Sequence, residues 1–401
     1  MSRDRSLVTR MARIIRQDYV ESGLLEAGGR FPSIRQLHAR YGASRTTIAE
    51  ALGQLEAQGV LQKEHGRGCF LAEKAASRAT ASGGLRTLGL VTPVSEVNDI
   101  IARLHRGAEA GAKRHGFHLI SAAQSSSSGA AYEGEQAQVA RLIAMGCEAV
   151  LLNPVARSID QMELDYLNSA FLDTPIVLVG QTMPYMKRTQ ITFDHRRAGY
   201  DMTRLLLSEG HGHVAWLRVS PRGKERIRPA LKARHRGYLD ALAEAGITPR
   251  PHDFWEVESD EVADALTGTG HLIRFLEEAW VGAEEPATAV ICPMDTEAVY
   301  LINAARHLGI DVGTEMSVVG FDDMAIGRGV WPPFPTTLSP HERAGEMAVE
   351  CAAQALESGA DECRIFVLPV EILRRDAAVR HASTREDIAA RGVVASATDK
   401  R

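Results

Sequence analysis

The chain has 401 residues, 45% hydrophobic and 24% charged, which is more than one hydrophobic core usually serves and ordinary for a globular protein. No run of about 18 apolar residues is present and no apolar stretch backs the opening Met-Ser-Arg-Asp-Arg-Ser, so neither a membrane span nor a signal peptide is expected, and a cytoplasmic location is. The net charge of −5 is unevenly held: residues 1–74 carry 12 Lys and Arg against 8 Asp and Glu, a basic head on an acidic body, as phosphate contacts would need.

In chain order, Leu7, Met11, Ile14, Ile15 and Val20 trace a helical stripe from Ser6 to Ser22. Pro32-Ser33 opens a second helix with Ile34, Leu37 and His38 on one side. Tyr41-Gly42-Ala43-Ser44 makes a tight turn, and Ser44 is the N-cap of a third helix, Arg45 to Gln58, with Ile48, Leu52 and Leu55 inward. Gly59 ends it. Val60–Lys63 and Cys69–Leu71 then form a hairpin turned by His65-Gly66-Arg67-Gly68. Helix, turn, helix and wing place a helix in the DNA major groove. The candidate DNA contacts are Arg35, Ser44, Arg45, Thr46 and Thr47 around that helix and Arg67 and Gly68 at the wing tip. Arginine forks onto a guanine edge, threonine meets a thymine methyl or a phosphate, and a wing arginine enters the minor groove. The competing reading is a winged helix that binds protein.

Residues 72–85 lack apolar periodicity and read as a linker. Short apolar strands then alternate with amphipathic helices. The strands are Thr87–Thr92, Phe117–Ala122, Ala149–Leu152, Ile176–Val179, His213–Arg218, Ala289–Cys292 and Ser317–Phe321. The helices are Ile100–Arg114, Glu133–Met145, Arg197–Glu209, His235–Ala245, Val262–Glu278 and Glu297–Leu308. This is an α/β pattern with doubly wound parallel sheets, too long for one sheet. Two lobes are expected within residues 86–380, one from 86–190 with 322–340 and one from 191–321 with 341–380. Residues 381–401 read as a frayed tail.

In a doubly wound sheet the strand C-termini face a ligand crevice. Asp194 and Asp322 each follow a strand, and Arg234 precedes a helix. Carboxylates and a guanidinium suit the adjacent hydroxyls of a sugar. Asn98, Asp99, Asp295 and Trp331 are further candidates. The alternative for each Asp is a helix N-cap, and for Phe321 core packing. The basic run Arg222 to Arg236 within segment 220–236 reads as a solvated loop, or as a charge for an acidic effector. Five scattered cysteines without a Cys-x-x-Cys pair suggest reduced thiols, and 14 dispersed histidines suggest no metal. No Gly-x-Ser-x-Gly, P-loop or His-Glu-x-x-His occurs, so neither an enzyme nor a cofactor is expected.

The head resembles the DNA-binding domain of the GntR family through Pro32-Ser33-Ile34-Arg35-Gln36-Leu37, Ser44-Arg45-Thr46-Thr47-Ile48, Glu50-Ala51-Leu52, Leu55-Glu56, Gly59-Val60-Leu61 and Gly66-Arg67-Gly68-Cys69-Phe70. Ala49 stands where that family often has a basic residue. The body resembles the LacI/GalR-type effector domain, similar to periplasmic sugar-binding proteins. The resemblance runs through Ser317-Val318-Val319-Gly320-Phe321-Asp322-Asp323, Pro332-Pro333-Phe334-Pro335-Thr336-Thr337-Leu338, Phe193-Asp194, Arg234-His235-Arg236-Gly237-Tyr238 and Asp295-Thr296-Glu297-Ala298. Met294 replaces the family's frequent Asn. Together the two give an arabinose-repressor-like architecture. The resemblance implies a dimeric repressor that binds operator DNA and a carbohydrate or its derivative, with Asp194, Arg234 and Asp322 as the ligand contacts. The other readings are a winged helix fused to an enzyme domain and a solute-binding transport protein.

Overall fold

The computed structural model describes residues 8, 11–12, 14–21, 25, 28–57, 60–64, 68–72, 86–93, 99–124, 131–154, 168, 174–183, 186–221, 229–259, 269–358 and 363–375. Most of the expected linker, the tail 381–401, Asn98, Arg67 and Arg222, Lys224, Arg226 and Arg228 of the basic run lie outside the described residues.

The head folds around Ile15, Leu37, Ile48, Leu55 and Leu71. Helix α1 (Ile34–Tyr41) begins at a capping box: Ser33 Oγ accepts from the Gln36 amide, and Gln36 Oε1 accepts from the Ser33 amide at 2.8 Å. It stops at Gly42, whose φ of 69° suits a residue without Cβ. Helix α2 (Arg45–Ala57) starts from Ser44, whose Oγ accepts from the Thr47 amide at 3.1 Å. Strands β1 (Leu61–Glu64) and β2 (Gly68–Leu71) pair antiparallel, with Leu61 opposite Leu71, and Arg30 bridges Phe70. The expected winged helix-turn-helix is present.

The first lobe is a six-stranded parallel sheet. Its strands are β3 (Arg86–Pro93), β4 (Phe117–Gln124), β5 (Ala149–Leu152), β6 (Ile176–Val179), β7 (Gln190–Phe193) and β13 (Ile365–Leu368), in the order β13-β7-β6-β5-β3-β4. Strands β5 and β6, read Ala-Val-Leu-Leu and Ile-Val-Leu-Val, are buried along their whole length. That is the pattern of a sheet covered on both faces. The second lobe is a four-stranded parallel sheet of β8 (Val214–Pro221), β9 (Phe254–Ser259), β10 (Ala289–Ile291) and β11 (Ser317–Val319), ordered β11-β10-β8-β9. Between the lobes, β12 (Thr336–Leu338) pairs antiparallel with β14 (Glu371–Leu373). The helices, in chain order, are α3 (Asp99–Arg114), α4 (Ala131–Ala144), α5 (His195–Ser208), α6 (Pro229–Glu244), α7 (Thr269–Leu276), α8 (Asp295–His307) and α9 (His341–Ser358).

The chain crosses between lobes three times: from β7 into α5, from β11 through β12 into α9, and from β13 into β14. The lobe assignments expected for residues 322–340 and for α9 and β13 are therefore reversed, while β14 packs with the second lobe as expected. Phe334 lies in the second lobe's core with Val290 and Val318. Ala344, Ala348, Val349 and Ala352 of α9 lie in the first lobe's core with Leu88, Leu151 and Val177. Strand β7 also belongs to the first sheet, which moves that boundary past residue 193. The reason is topological. Apolar periodicity shows that a helix is buried but not in which of two similar cores.

Candidate functional site

On the head, Arg35, Ser44, Arg45 and Thr46 are exposed along α1 and the start of α2. Thr47 is not among them. It is 8% exposed and its hydroxyl sits 2.8 Å from Ser44 Oγ. It takes part in the cap of α2. Gly68 at the wing has φ of 116°, a conformation only glycine adopts freely, and a Cβ there would approach Arg30 Nε to 3.6 Å. Arg40 is bound inward: its guanidinium donates to Tyr19 and pairs with Asp18.

In the body, the Gly-Phe-Asp-Asp motif after β11 carries the main feature. Asp322 and Asp323 take φ of 87° and 46°, a costly pair for residues with Cβ. Two hydroxyls hold them there. The Asp322 amide donates to Thr337 Oγ1 at 3.2 Å, and the Asp323 amide donates to Thr336 Oγ1 at 3.1 Å. The Thr336 hydroxyl in turn donates to Asp295 at 2.6 Å, and Asp295 also accepts from the Met324 amide at 2.8 Å. Asp295 is fully buried. Burial pushes its carboxyl up to about 7, against the two hydrogen bonds. It is a clasp under the turn and not an exposed ligand contact.

The turn aims the Asp322 carboxylate at Arg234 on α6. Arg234 donates to Oδ1 at 2.5 Å and to Oδ2 at 3.0 Å, a bidentate pair. It also donates to the Pro293 carbonyl at 2.6 Å, and it lies 4.6 Å from the centre of the Phe321 ring. Phe321 is thus core and a cation-π partner together. Burial opposes ionisation of Asp322, but Arg234 outweighs it and holds the carboxyl below its ordinary value.

Arg103, from α3 of the first lobe, donates through Nη2 to the carbonyls of Asp322 at 2.8 Å and Asp323 at 3.0 Å. Asp99, one turn earlier, accepts from the Ala325 amide at 3.1 Å and pairs with Arg328 at 3.3 Å. The two lobes are therefore joined at the same turn. Asp194 caps α5, accepting from the Arg197 amide at 2.9 Å. The next residue, His195, has its Nδ1 3.3 Å from Arg234 Nη2. His341, which opens α9, packs on Phe193 with rings 4.5 Å apart.

The structure thus brings Asp322, Arg234, Asp295 and Asp99 together and puts Asp194 one residue from the cluster. It leaves Trp331 outside, 73% exposed. Arg103, His195 and His341 were not anticipated. Arg103 and Asp322 are 219 residues apart, and no local pattern marks such a pairing.

Burial lowers His195 to about 3, reinforced by Arg234, and His341 to about 4, reinforced by Arg103 and Arg234. Both stay neutral in the fold while the unfolded chain takes up protons below about pH 6.5. Each therefore removes about 1.4 kcal/mol of stability per pH unit as acidity rises from there. Asp295 does the reverse between about 7 and its ordinary 3.8, since the folded form binds the proton first. The net is one imidazole's worth. The melting temperature of the body should fall steadily from pH 6.5 to 4.5, and His195→Gln should flatten the profile. A flat wild-type profile would show that only one of the two imidazoles is held neutral, and a profile that rises on acidification that neither is.

A winged-helix reader joined to a two-lobed α/β domain with parallel sheets defines a DNA-binding transcriptional regulator. Comparison with known proteins agrees. Residues 7–71 match the bacterial regulatory proteins of the gntR family, and residues 203–377 match a periplasmic binding protein-like domain. The arabinose metabolism transcriptional repressor of Geobacillus stearothermophilus is 24% identical over 343 residues, 84% of this chain and 88% of that one. The HTH-type transcriptional repressor PurR of Vibrio cholerae is 25% identical over 348 residues, 86% of this chain and 97% of that one. Among solved structures, the lac repressor dimer bound to operator and an anti-inducer superposes with a TM-score of 0.61 at 20% identity, covering 76% of this chain and 97% of the other. The transcriptional regulator CelR in complex with cellobiose gives 0.60 at 20% identity, covering 88% and 100%. These relatives are regulators, and this chain is a ligand-responsive regulator of the same two-part design and not an enzyme. Among the described residues no helix is long and apolar enough to cross a membrane.

Proposed function

We propose that the chain is a dimeric repressor that binds operator DNA through Arg35, Ser44, Arg45, Thr46 and the wing, including Arg67 and Gly68, and that a carbohydrate or its derivative binds at the junction around Asp322, Arg234 and Asp194. The observation that carries this reading is the turn at Asp322-Asp323, grasped by Arg103 from one lobe and Arg234 from the other. A ligand that competes for those groups changes how the lobes meet. A change at the lobes regulates only if the two arrangements differ in DNA affinity. A symmetric dimer reads two half-sites, so a near-palindromic operator is expected.

The reading is tested with duplexes selected from a random pool by the full-length protein. Arg45→Ala should weaken binding to the selected site by tenfold or more. Wild-type affinity should drop steeply between 50 and 200 mM salt. Unchanged affinity in the Arg45→Ala and Arg35→Ala proteins would place the DNA-reading surface elsewhere.

A further inference from the structure

The turn between α1 and α2 aims the helix that carries Arg45 and Thr46, and one carbonyl in it belongs to neither helix. The Gly42 amide donates to the His38 carbonyl at 2.9 Å, which closes α1. The Ile48 amide donates to the Ser44 carbonyl at 3.1 Å and the Thr47 amide to Ser44 Oγ at 3.1 Å, which opens α2. The Ala43 carbonyl lies between these two sets of bonds. A side chain takes it: His38 Nδ1 is 2.7 Å from the Ala43 oxygen.

A carbonyl oxygen only accepts, so Nδ1 carries the proton. It does so in the neutral ring of that tautomer and in the imidazolium alike, and the bond holds with either charge on the ring. His38 thus grips two successive residues of the turn, Gly42 through its own carbonyl and Ala43 through its ring. The turn is held from other sides as well. The Tyr41 hydroxyl donates to Asp18 at 2.7 Å, and the Ala43 side chain packs on the core of the head. The planar peptide unit that carries the Ala43 oxygen also carries the Ser44 amide. Fixing that plane fixes the residue that caps α2, and with it the direction in which the exposed Arg45 and Thr46 leave the turn.

The bond is better suited to aiming than to holding the fold. Leu37, the residue before, is in the core of the head, whereas His38 and Ala43 are half-buried. Water can therefore replace the ring at the Ala43 oxygen, and the fold loses little. The turn loses its single shape. A segment that is not ordered beforehand must be ordered on binding, and that ordering weakens the complex.

We infer that His38 is a positioning residue for DNA reading: its Nδ1–H, bound to the Ala43 carbonyl, sets the direction of α2 and so governs affinity for the operator sequence without touching DNA. This rests on Arg45 and Thr46 being part of the DNA-reading surface.

The test uses the full-length protein, the duplex selected from the random pool and a scrambled duplex of the same composition. Asparagine puts its Nδ2 where Nδ1 stands, leucine fills the same space without a donor, and glutamine carries its amide one atom too far. His38→Leu should weaken binding to the selected duplex by about three- to tenfold, what one net hydrogen bond supplies. It should leave the scrambled duplex, held through its phosphates, unchanged. His38→Asn should restore the wild-type preference for the selected duplex. His38→Gln should behave as leucine does, and it takes the place of His38→Leu if that variant fails to fold. Equal affinity of the leucine variant and the wild type for the selected duplex overturns the inference, and so does an asparagine variant no better than the leucine one. A salt dependence shallower by about 1 in the leucine variant also overturns it, since the ring would then sit on a phosphate. Arg45→Ala keeps the two readings apart. If Arg45→Ala weakens binding and His38→Leu does not, this inference falls alone. If neither does, the DNA-reading surface lies elsewhere and both fall.

Discussion

Asp322→Ala should destabilise the body by about 3–5 kcal/mol, the cost of leaving one partner of a buried ion pair unpaired. Arg234 is 3% exposed and Asp322 is 6% exposed, so water cannot replace the lost carboxylate. The Pro293 carbonyl remains as an acceptor for Nη1 but takes no charge. Asp322→Asn should cost less, because the amide oxygen still accepts one N–H. Arg234→Met combined with Asp322→Leu should recover most of the loss, since replacing both members of a buried pair by apolar groups is often neutral. Urea denaturation of the wild type, Arg234→Met, Asp322→Leu and the double variant measures this as a double-mutant cycle. A coupling energy below about 0.5 kcal/mol would show that the pair is solvent-screened and that the junction is open.

The second large effect concerns glycines where helices cross. A Cβ on Gly107 of α3 would lie 1.9 Å from the Glu342 carbonyl oxygen, and one on Gly237 of α6 would lie 1.9 Å from that of Arg196. Gly199 of α5 faces the Arg234 carbonyl at 2.0 Å, and Gly345 of α9 faces that of Leu104 at 2.3 Å. Backbone oxygens cannot rotate aside, so whole helices must separate. Gly107→Ala and Gly237→Ala should each cost about 3 kcal/mol, the upper part of the range for overpacking. The helix carrying Arg234 is held by the Gly199 and Gly237 contact, so Gly237→Ala should also impair effector response. Gly53, in mid-helix α2 with nothing within 4 Å of its Cβ position, has the opposite sign. Gly53→Ala should stabilise the head by up to about 1 kcal/mol. Thermal melts of the three variants check the contrast, and a neutral Gly107→Ala would mean that α3 and α9 are not in backbone contact.

The head was readable almost residue by residue. Its capping serines, the glycine after α1 and the inward stripe Ile48, Leu52, Leu55 act within a few positions of one another, and local chemistry fixes them. The capping contact of Thr47 was not legible, because one hydroxyl at a helix start has two uses, to cap or to face outward, and the sequence of the turn does not distinguish them. In the body, strands such as β5 and β6 declared themselves by continuous apolar runs. Strands β9, β12, β13 and β14 did not. They are short, or half exposed, as Ile365 and Val367 of β13 are, and their place depends on a partner far away in the chain.

The site divides in the same way. Asp322 and Arg234 stood out as charges at strand and helix ends, but only the fold made them partners. Asp194 looked equivalent to Asp322 and Asp295 was a weaker candidate, and the structure shows the first at a helix cap and the second in a buried clasp. What the sequence by itself determined was the kind of element at each stretch and the two-part reader and sensor design, because hydrophobic period, caps and turns are short-range. What only the tertiary structure decided was which lobe owns α9, that Arg103 reaches the backbone of the Asp322-Asp323 turn, and that His195 meets the arginine paired with Asp322. Those outcomes depend on three chain crossings that bring together residues with no local relation.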